Sequence, residues 1–113
     1  MNLIANTPQA PYYAVIFSSH KSKDLEGYSQ MAATLETLAV EQPGYLGIEI
    51  AQDELGITVS YWSDLESIQR WKENITHLQG QEKGRQQWYS SYRVRVAKVE
   101  RDYGFDEAFE KRK

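Results

Sequence analysis

Cysteine is absent from this 113-residue chain. That excludes disulfides, thiolate nucleophiles and every metal site built on sulfur. Histidine is nearly absent, with two residues, so a metal site would have to lean on carboxylates. The only helical pairing of that kind is Glu73 with His77 at i, i+4, one pair and not a ligand set; no metal is expected. Basic excess is lacking too. The net charge is −3, and no basic stripe interleaved with aromatics occurs, which argues against a general nucleic-acid binder. No run approaches the roughly 20 apolar residues of a membrane span, and Met1 to Pro11 has no apolar signal-peptide core. The expected address is the cytoplasm, and Asn74-Ile75-Thr76, a formal glycosylation sequon, carries no weight there. Nucleotide and hydrolase signatures are missing as well: there is no GxGxxG, P-loop, GxSxG or HExxH.

What remains is ordinary for one globular domain, with 41% hydrophobic and 26% charged residues. The most informative stretch runs from Gly56 to Tyr89 and holds all three tryptophans. Ile57, Val59 and Tyr61 alternate with Thr58, Ser60 and Trp62, the two-residue period of a strand. Ser63-Asp64-Leu65-Glu66 reads as a capping box opening a helix. Leu65, Ile68 and Trp71 follow at helical spacing. Asn74 suggests a break, after which a second helical run can be drawn through His77, Gln81, Gly84 or Arg85, and Trp88.

Around this unit the chain supplies a second helix and three more strands. Residues 1–11 read as a lead-in, 12–103 as the folded domain and 104–113 as a charged tail in which Phe105 and Phe109 can dock. Tyr12 to Ser18 is apolar on both faces and so central in its sheet. Asp24 to Glu41 repeats apolar residues at helical spacing through Leu25, Tyr28, Ala32, Leu35 and Ala39, and Pro43-Gly44 ends it. Tyr45 to Ala51 alternates and forms a hairpin with the Ile57 strand. Ser91 to Arg101 is a closing strand. The order β-α-β-β-α-β predicts an α+β, ferredoxin-like fold with a four-stranded antiparallel sheet and both helices on one face. Leu46, Ile48, Ile50, Ile57, Val59, Tyr61, Val94 and Val96 are expected under the helices. Ile16, Tyr45, Glu49, Thr58, Ser60, Trp62, Arg93 and Arg95 are expected on the other face. An open apolar face of that kind calls for a cover, and a second copy of the sheet is the simplest one, giving a homodimer.

Three stretches carry a family likeness: PGYLGIEI, GITVSYWSDLESIQRWKENITH and GRQQWYSSYRVRVAKVERDYGF. With Pro43-Gly44-Tyr45, Tyr61-Trp62, Trp71 and Trp88-Tyr89 as the most specific pieces, the chain from Tyr12 to Tyr103 resembles the antibiotic biosynthesis monooxygenase family of dimeric α/β barrels. The resemblance implies a homodimer with a pocket between sheet and helices in each subunit. It also implies oxygen insertion into an aromatic, polyketide-like substrate without flavin, heme or metal. Heme-degrading members of the same superfamily carry a helix tryptophan, a histidine ten residues later and an asparagine on the first strand. Trp71 matches the first. Gln81 stands at the second position, and Tyr12 to Ser18 contains no asparagine, so heme degradation is disfavoured.

Oxygenation without a cofactor needs an apolar slot, a base tuned near neutral pH and donors for the developing oxyanion. His77 is the helix histidine and the candidate base. Trp71 joins it as a candidate catalytic residue, while Trp62, Tyr61, Tyr92 and Arg93 are candidate substrate-binding residues. The bland alternatives are a core role for Trp71, a solvated His77 and ion pairs for the arginines. A ligand-binding dimer without turnover, small-molecule partner retained, is the competing function.

Overall fold

The computed structural model describes residues 3–79 and 88–105, the side chains of residues 76–79 excepted. Six elements follow one another: β1 (Tyr12–Lys21), α1 (Tyr28–Val40), β2 (Tyr45–Ala51), β3 (Gly56–Trp62), α2 (Leu65–Gln79) and β4 (Tyr89–Val99). The strands form one antiparallel sheet in the order β2-β3-β1-β4, the ferredoxin-like arrangement. β1 is paired on both sides, as its two apolar faces require.

Both helices begin differently from the expected pattern. α1 starts at Tyr28 after Gly27, whose φ of 81° suits glycine and turns the chain into the helix. Its inward stripe is Tyr28, Met31, Leu35, Leu38 and Ala39; Leu25 and Ala32 are exposed. α2 begins at Leu65, so the cap is Asp64 and not Ser63. The Asp64 carboxylate accepts the Ser67 N–H at 2.7 Å and lies 3.2 Å from the Ser63 hydroxyl. Nor does α2 break at Asn74. That side chain donates to Gln42 Oε1 at 2.9 Å, tying α2 to the end of α1, and the helix continues through Ile68, Trp71 and Ile75, its less exposed positions. The remainder of the expected second run, Gly80 to Gln87, lies outside the described residues, as does Phe109. Phe105 is exposed rather than docked.

Gly44 holds β2 against the start of α2. Its φ is 85°, its carbonyl accepts the Ser63 N–H at 2.8 Å, and a Cβ there would fall 2.1 Å from Ser67 Oγ. Only glycine allows that approach.

Register keeps Ile48, Ile50, Val94 and Val96 on the helix side and Ile16, Glu49, Arg93 and Arg95 on the other, as expected, but exchanges the two faces of β3 and moves Tyr45 to the helix side. Tyr13, Trp62, Tyr45 and Lys98 form one row across the sheet; Val15, Ser60, Ile48 and Val96 the next; Phe17, Thr58, Ile50 and Val94 the third. Trp62 in the first row stacks on Trp71 of α2, so this is the helix side. Ile57, Val59, Tyr61, Ile16, Glu49, Arg93 and Arg95 therefore share the opposite face. Both faces of β3 carry large apolar groups, so alternation groups its residues correctly without saying which group the helices cover. Leu46 sits at the irregularity between Tyr45 and Gly47.

Candidate active site

The helices pack chiefly over β2 and β3. Among the described residues, much of the helix side of β1 and β4 has no helix packed over it and forms a trough in which Val94 and Val96 are exposed. At one end Trp71 stacks on the fully buried Trp62, ring centres 6.0 Å apart and planes at 28°. Tyr45 meets Trp62 edge-on at 5.7 Å, and the Trp62 indole N–H donates to Ser60 Oγ at 2.9 Å. Burial, with Glu36 nearby, raises the Tyr45 phenol above its ordinary pKa. The floor consists of Val15, Val94 and Val96, and the last two are about half exposed.

The other end is also aromatic. Phe17 stacks on Tyr92 at 5.4 Å and meets Tyr89 edge-on at 5.3 Å. Tyr28 of α1 closes on Tyr89 and Trp88, and Lys21 Nζ sits 5.0 Å above the Tyr28 ring. Trp88 is buried, its indole N–H donating to the Glu26 carbonyl at 2.8 Å. Six strand residues, about 20 Å, separate the rows of Trp62 and Tyr92. Aromatic ends and an aliphatic floor have the chemistry to stack on and pack against flat apolar rings.

The expected site residues divide between two places. Trp62 and Trp71 are in contact, and Tyr92 lies on the same side at the far end. Tyr61 and Arg93 lie on the opposite face. His77 falls on α2, but its side chain is outside the described residues. Sequence reasoning missed Phe17 and Tyr89 as trough residues. Phe17 read as plain strand core, and only the β1–β4 register brings it to Tyr92.

The opposite face carries its own polar network. The Tyr61 hydroxyl donates to Glu49 Oε1 at 2.6 Å, and the Ala5 N–H donates to Glu49 Oε2 at 3.0 Å. The Tyr12 hydroxyl donates to Asp102 and accepts from Thr7 Oγ1 at 3.0 Å. The two phenol rings meet edge-on at 5.8 Å. Burial, reinforced by the neighbouring carboxylates, raises both phenols above their ordinary pKa. Each phenol holds its proton for a carboxylate and so acts here as a donor, not as a base. Among the described residues no group of three potential metal ligands occurs, and no helix is long and apolar enough to cross a membrane.

No family model matches the sequence. It is 49% identical over 109 residues to the uncharacterised protein YqjZ of Bacillus subtilis strain 168, a match covering 95% of this chain and 96% of that one. Among solved structures, SO0527 of Shewanella oneidensis aligns with a TM-score of 0.66 at 14% identity, covering 88% of this chain and all of the other. SnoaB, a cofactor-independent oxygenase from Streptomyces nogalater, aligns with a TM-score of 0.63 at 11% identity over 87% of this chain and 100% of its own. A Nitrosomonas europaea protein provisionally described as an antibiotic biosynthesis monooxygenase gives 0.62 at 12% identity over 81% and 92%. At these identities the likeness is one of fold, and the fold is that of the antibiotic biosynthesis monooxygenases.

Proposed function

The chain belongs to the family of Bacillus subtilis YqjZ, and we propose that it is a cofactor-independent monooxygenase of a small aromatic or quinol-like substrate, acting as a cytoplasmic homodimer. The observation that carries this reading is the apolar trough ending in the Trp62–Trp71 stack, on the fold shared with SnoaB. A flat ring lies against Trp71 and the valine floor. Deprotonation of its activated CH2 gives an electron-rich carbanion that reacts directly with dioxygen. The CH2 becomes C=O, one oxygen atom is retained and the other leaves as water. His77 is our candidate for the base, with Trp71, backed by the buried Trp62, as the ring-binding wall and Tyr92 as a polar contact at the far end. Tyr61 and Arg93 face away from the trough, and we assign them to the contact between copies.

Oxygen uptake in chelator, against a panel of anthrones and quinols, tests this reading. Wild type is expected to consume oxygen, and Trp71→Phe or His77→Ala to lower the rate by two orders of magnitude or more. A second reading, ligand binding without turnover, is favoured by one observation: among the described residues, the polar side chains that the strands place in the trough are hydroxyls, phenols and lysines, with no imidazole or carboxylate. No uptake by folded protein would select it. A Soret band on hemin titration would select a heme-binding variant instead.

The homodimer rests on the face away from the helices. Glu49, Val59, Ile16 and Arg95 form a straight row across all four strands, spanning about 14 Å. A two-fold axis along the strands exchanges the ends of that row. Glu49 of each copy then meets Arg95 of the other over a Val59/Ile16 centre, a self-complementary contact. Among the described residues neither Arg93 nor Arg95 has an ion-pair partner.

A further inference from the structure

Leu3 to Thr7 does not trail from the domain. Its amide at Ala5 donates to Glu49, its Thr7 hydroxyl donates to Tyr12, and the Ala5 methyl lies over Gly47. A Cβ placed on Gly47 would come within 2.9 Å of Ala5 Cβ. Gly47 thus opens a notch at the β2 edge of the sheet, and the chain's own N-terminal arm fills it. Both Glu49 oxygens are used in this latch, one by Tyr61 and one by Ala5, and Asp102 joins it through Tyr12. The latch leaves Leu3 80% and Ile4 71% exposed, next in the chain to Ala5, which sits on the face that the dimer reading requires to be covered.

We propose that this arm is a built-in part of the interface with a second copy of the chain: it fills the Gly47 notch and presents Leu3 and Ile4 to the other sheet. The inference rests on the dimer reading above. The row next to Glu49–Arg95 is Gly47, Tyr61, Ala14 and Ala97. The same two-fold axis sets Gly47, with Ala5 on it, opposite Ala97 of the second copy. Facing sheets pack about 10 Å apart, and a glycine facing an alanine leaves a gap there. One layer of arm backbone with a small side chain at position 5 fills it. Leu3 and Ile4, on the Glu49 side of Ala5, meet the β4 edge of the other copy, where the stems of the exposed Arg93 and Arg95 lie. Glu49 retains free lone pairs for Arg95 of the second copy after both latch bonds are made.

Sedimentation velocity of the full chain across a concentration series tests this, with wild type beside Leu3→Ser/Ile4→Ser and beside Gly47→Val, which expels the arm from its notch. Leu3 and Ile4 are exposed, so the double variant keeps its fold, checked by thermal melting at a dilution where the protein is monomeric. A dimer Kd raised tenfold or more in both variants is the expected result. A wild-type dimer whose Kd is unchanged or lowered in Leu3→Ser/Ile4→Ser would overturn the arm's role alone. A wild type that stays monomeric throughout would overturn the dimer reading, and the arm's role with it.

Discussion

Tyr61 and Glu49, twelve residues apart on neighbouring strands, share a 2.6 Å hydrogen bond on the face away from the helices. The pair ties β3 to β2 and, through the second Glu49 oxygen, to the N-terminal arm. Tyr61→Phe removes one of the two donors to a half-buried carboxylate. A loss of about 1–2 kcal/mol is expected, measured as a shift of the urea midpoint. Glu49→Gln keeps one acceptor oxygen for the Ala5 N–H and offers its amide NH2 as a donor to the Tyr61 hydroxyl, which turns to accept, and should cost less.

The same pair sets the alkaline limit of stability. Tyr12 and Tyr61 have raised pKa values, from burial first and from Asp102 and Glu49 next. A group raised on folding stabilises fully below its unfolded pKa, about 10 for a phenol, and that contribution is lost as pH climbs through the folded value. Melting temperature is therefore expected to fall above about pH 10, and more shallowly in Tyr61→Phe. Identical slopes in the two proteins would contradict the assignment.

Asp64 acts in the opposite direction. Its carboxyl is held below the ordinary range by the Ser67 backbone N–H first, then by the Ser67 and Ser63 hydroxyls. A depressed group contributes above its unfolded pKa and loses that contribution as pH falls through the folded one. Asp64→Ala should lower the melting temperature at pH 7, and the difference from wild type should vanish at strongly acid pH. Ser63→Ala should have the smaller effect at neutral pH, because Asp64 and not Ser63 reaches Ser67.

The two stacked tryptophans should separate by mutation. Trp62 is fully buried, and Trp62→Ala is expected to cost about 3–5 kcal/mol through the cavity it leaves. Trp71 is only partly covered, so Trp71→Phe should leave the melting temperature within a few degrees of wild type while weakening binding of a planar aromatic probe. Chemical denaturation and fluorescence titration on the same preparations measure both.

Across the proposed dimer contact, Arg95→Glu sets like charges face to face without touching any hydrogen bond described on the sheet. Its dimer Kd should rise by an order of magnitude or more at low salt, and the difference should narrow at 1 M salt, where the screening length shrinks to about 3 Å. An effect of equal size at all salt concentrations would point to a structural role instead.

The sequence by itself determined the element order, the central place of β1, the β2–β3 hairpin and the grouping of residues on β3 and β4, while the irregularity at Leu46 moved Tyr45 to the side of Ile48 and Ile50. Those features follow from periods of two and 3.6 residues and from turn chemistry, all local. It also singled out Trp62 and Trp71 as candidates, but set Trp62 on the face away from the helices, and only the register brings the two rings together. Tertiary structure decided which face the helices cover. The crossover packing that settles this involves Trp71, Trp88 and Ser67 at once, and until then Thr58/Ser60/Trp62 and Ile57/Val59/Tyr61 serve equally well as inner faces. It decided equally that Tyr92 belongs with Phe17 while Tyr61 belongs with Glu49. It also folded a polar lead-in back onto the sheet, because only the assembled hairpin sets the Glu49 carboxylate and the Gly47 notch side by side to receive it.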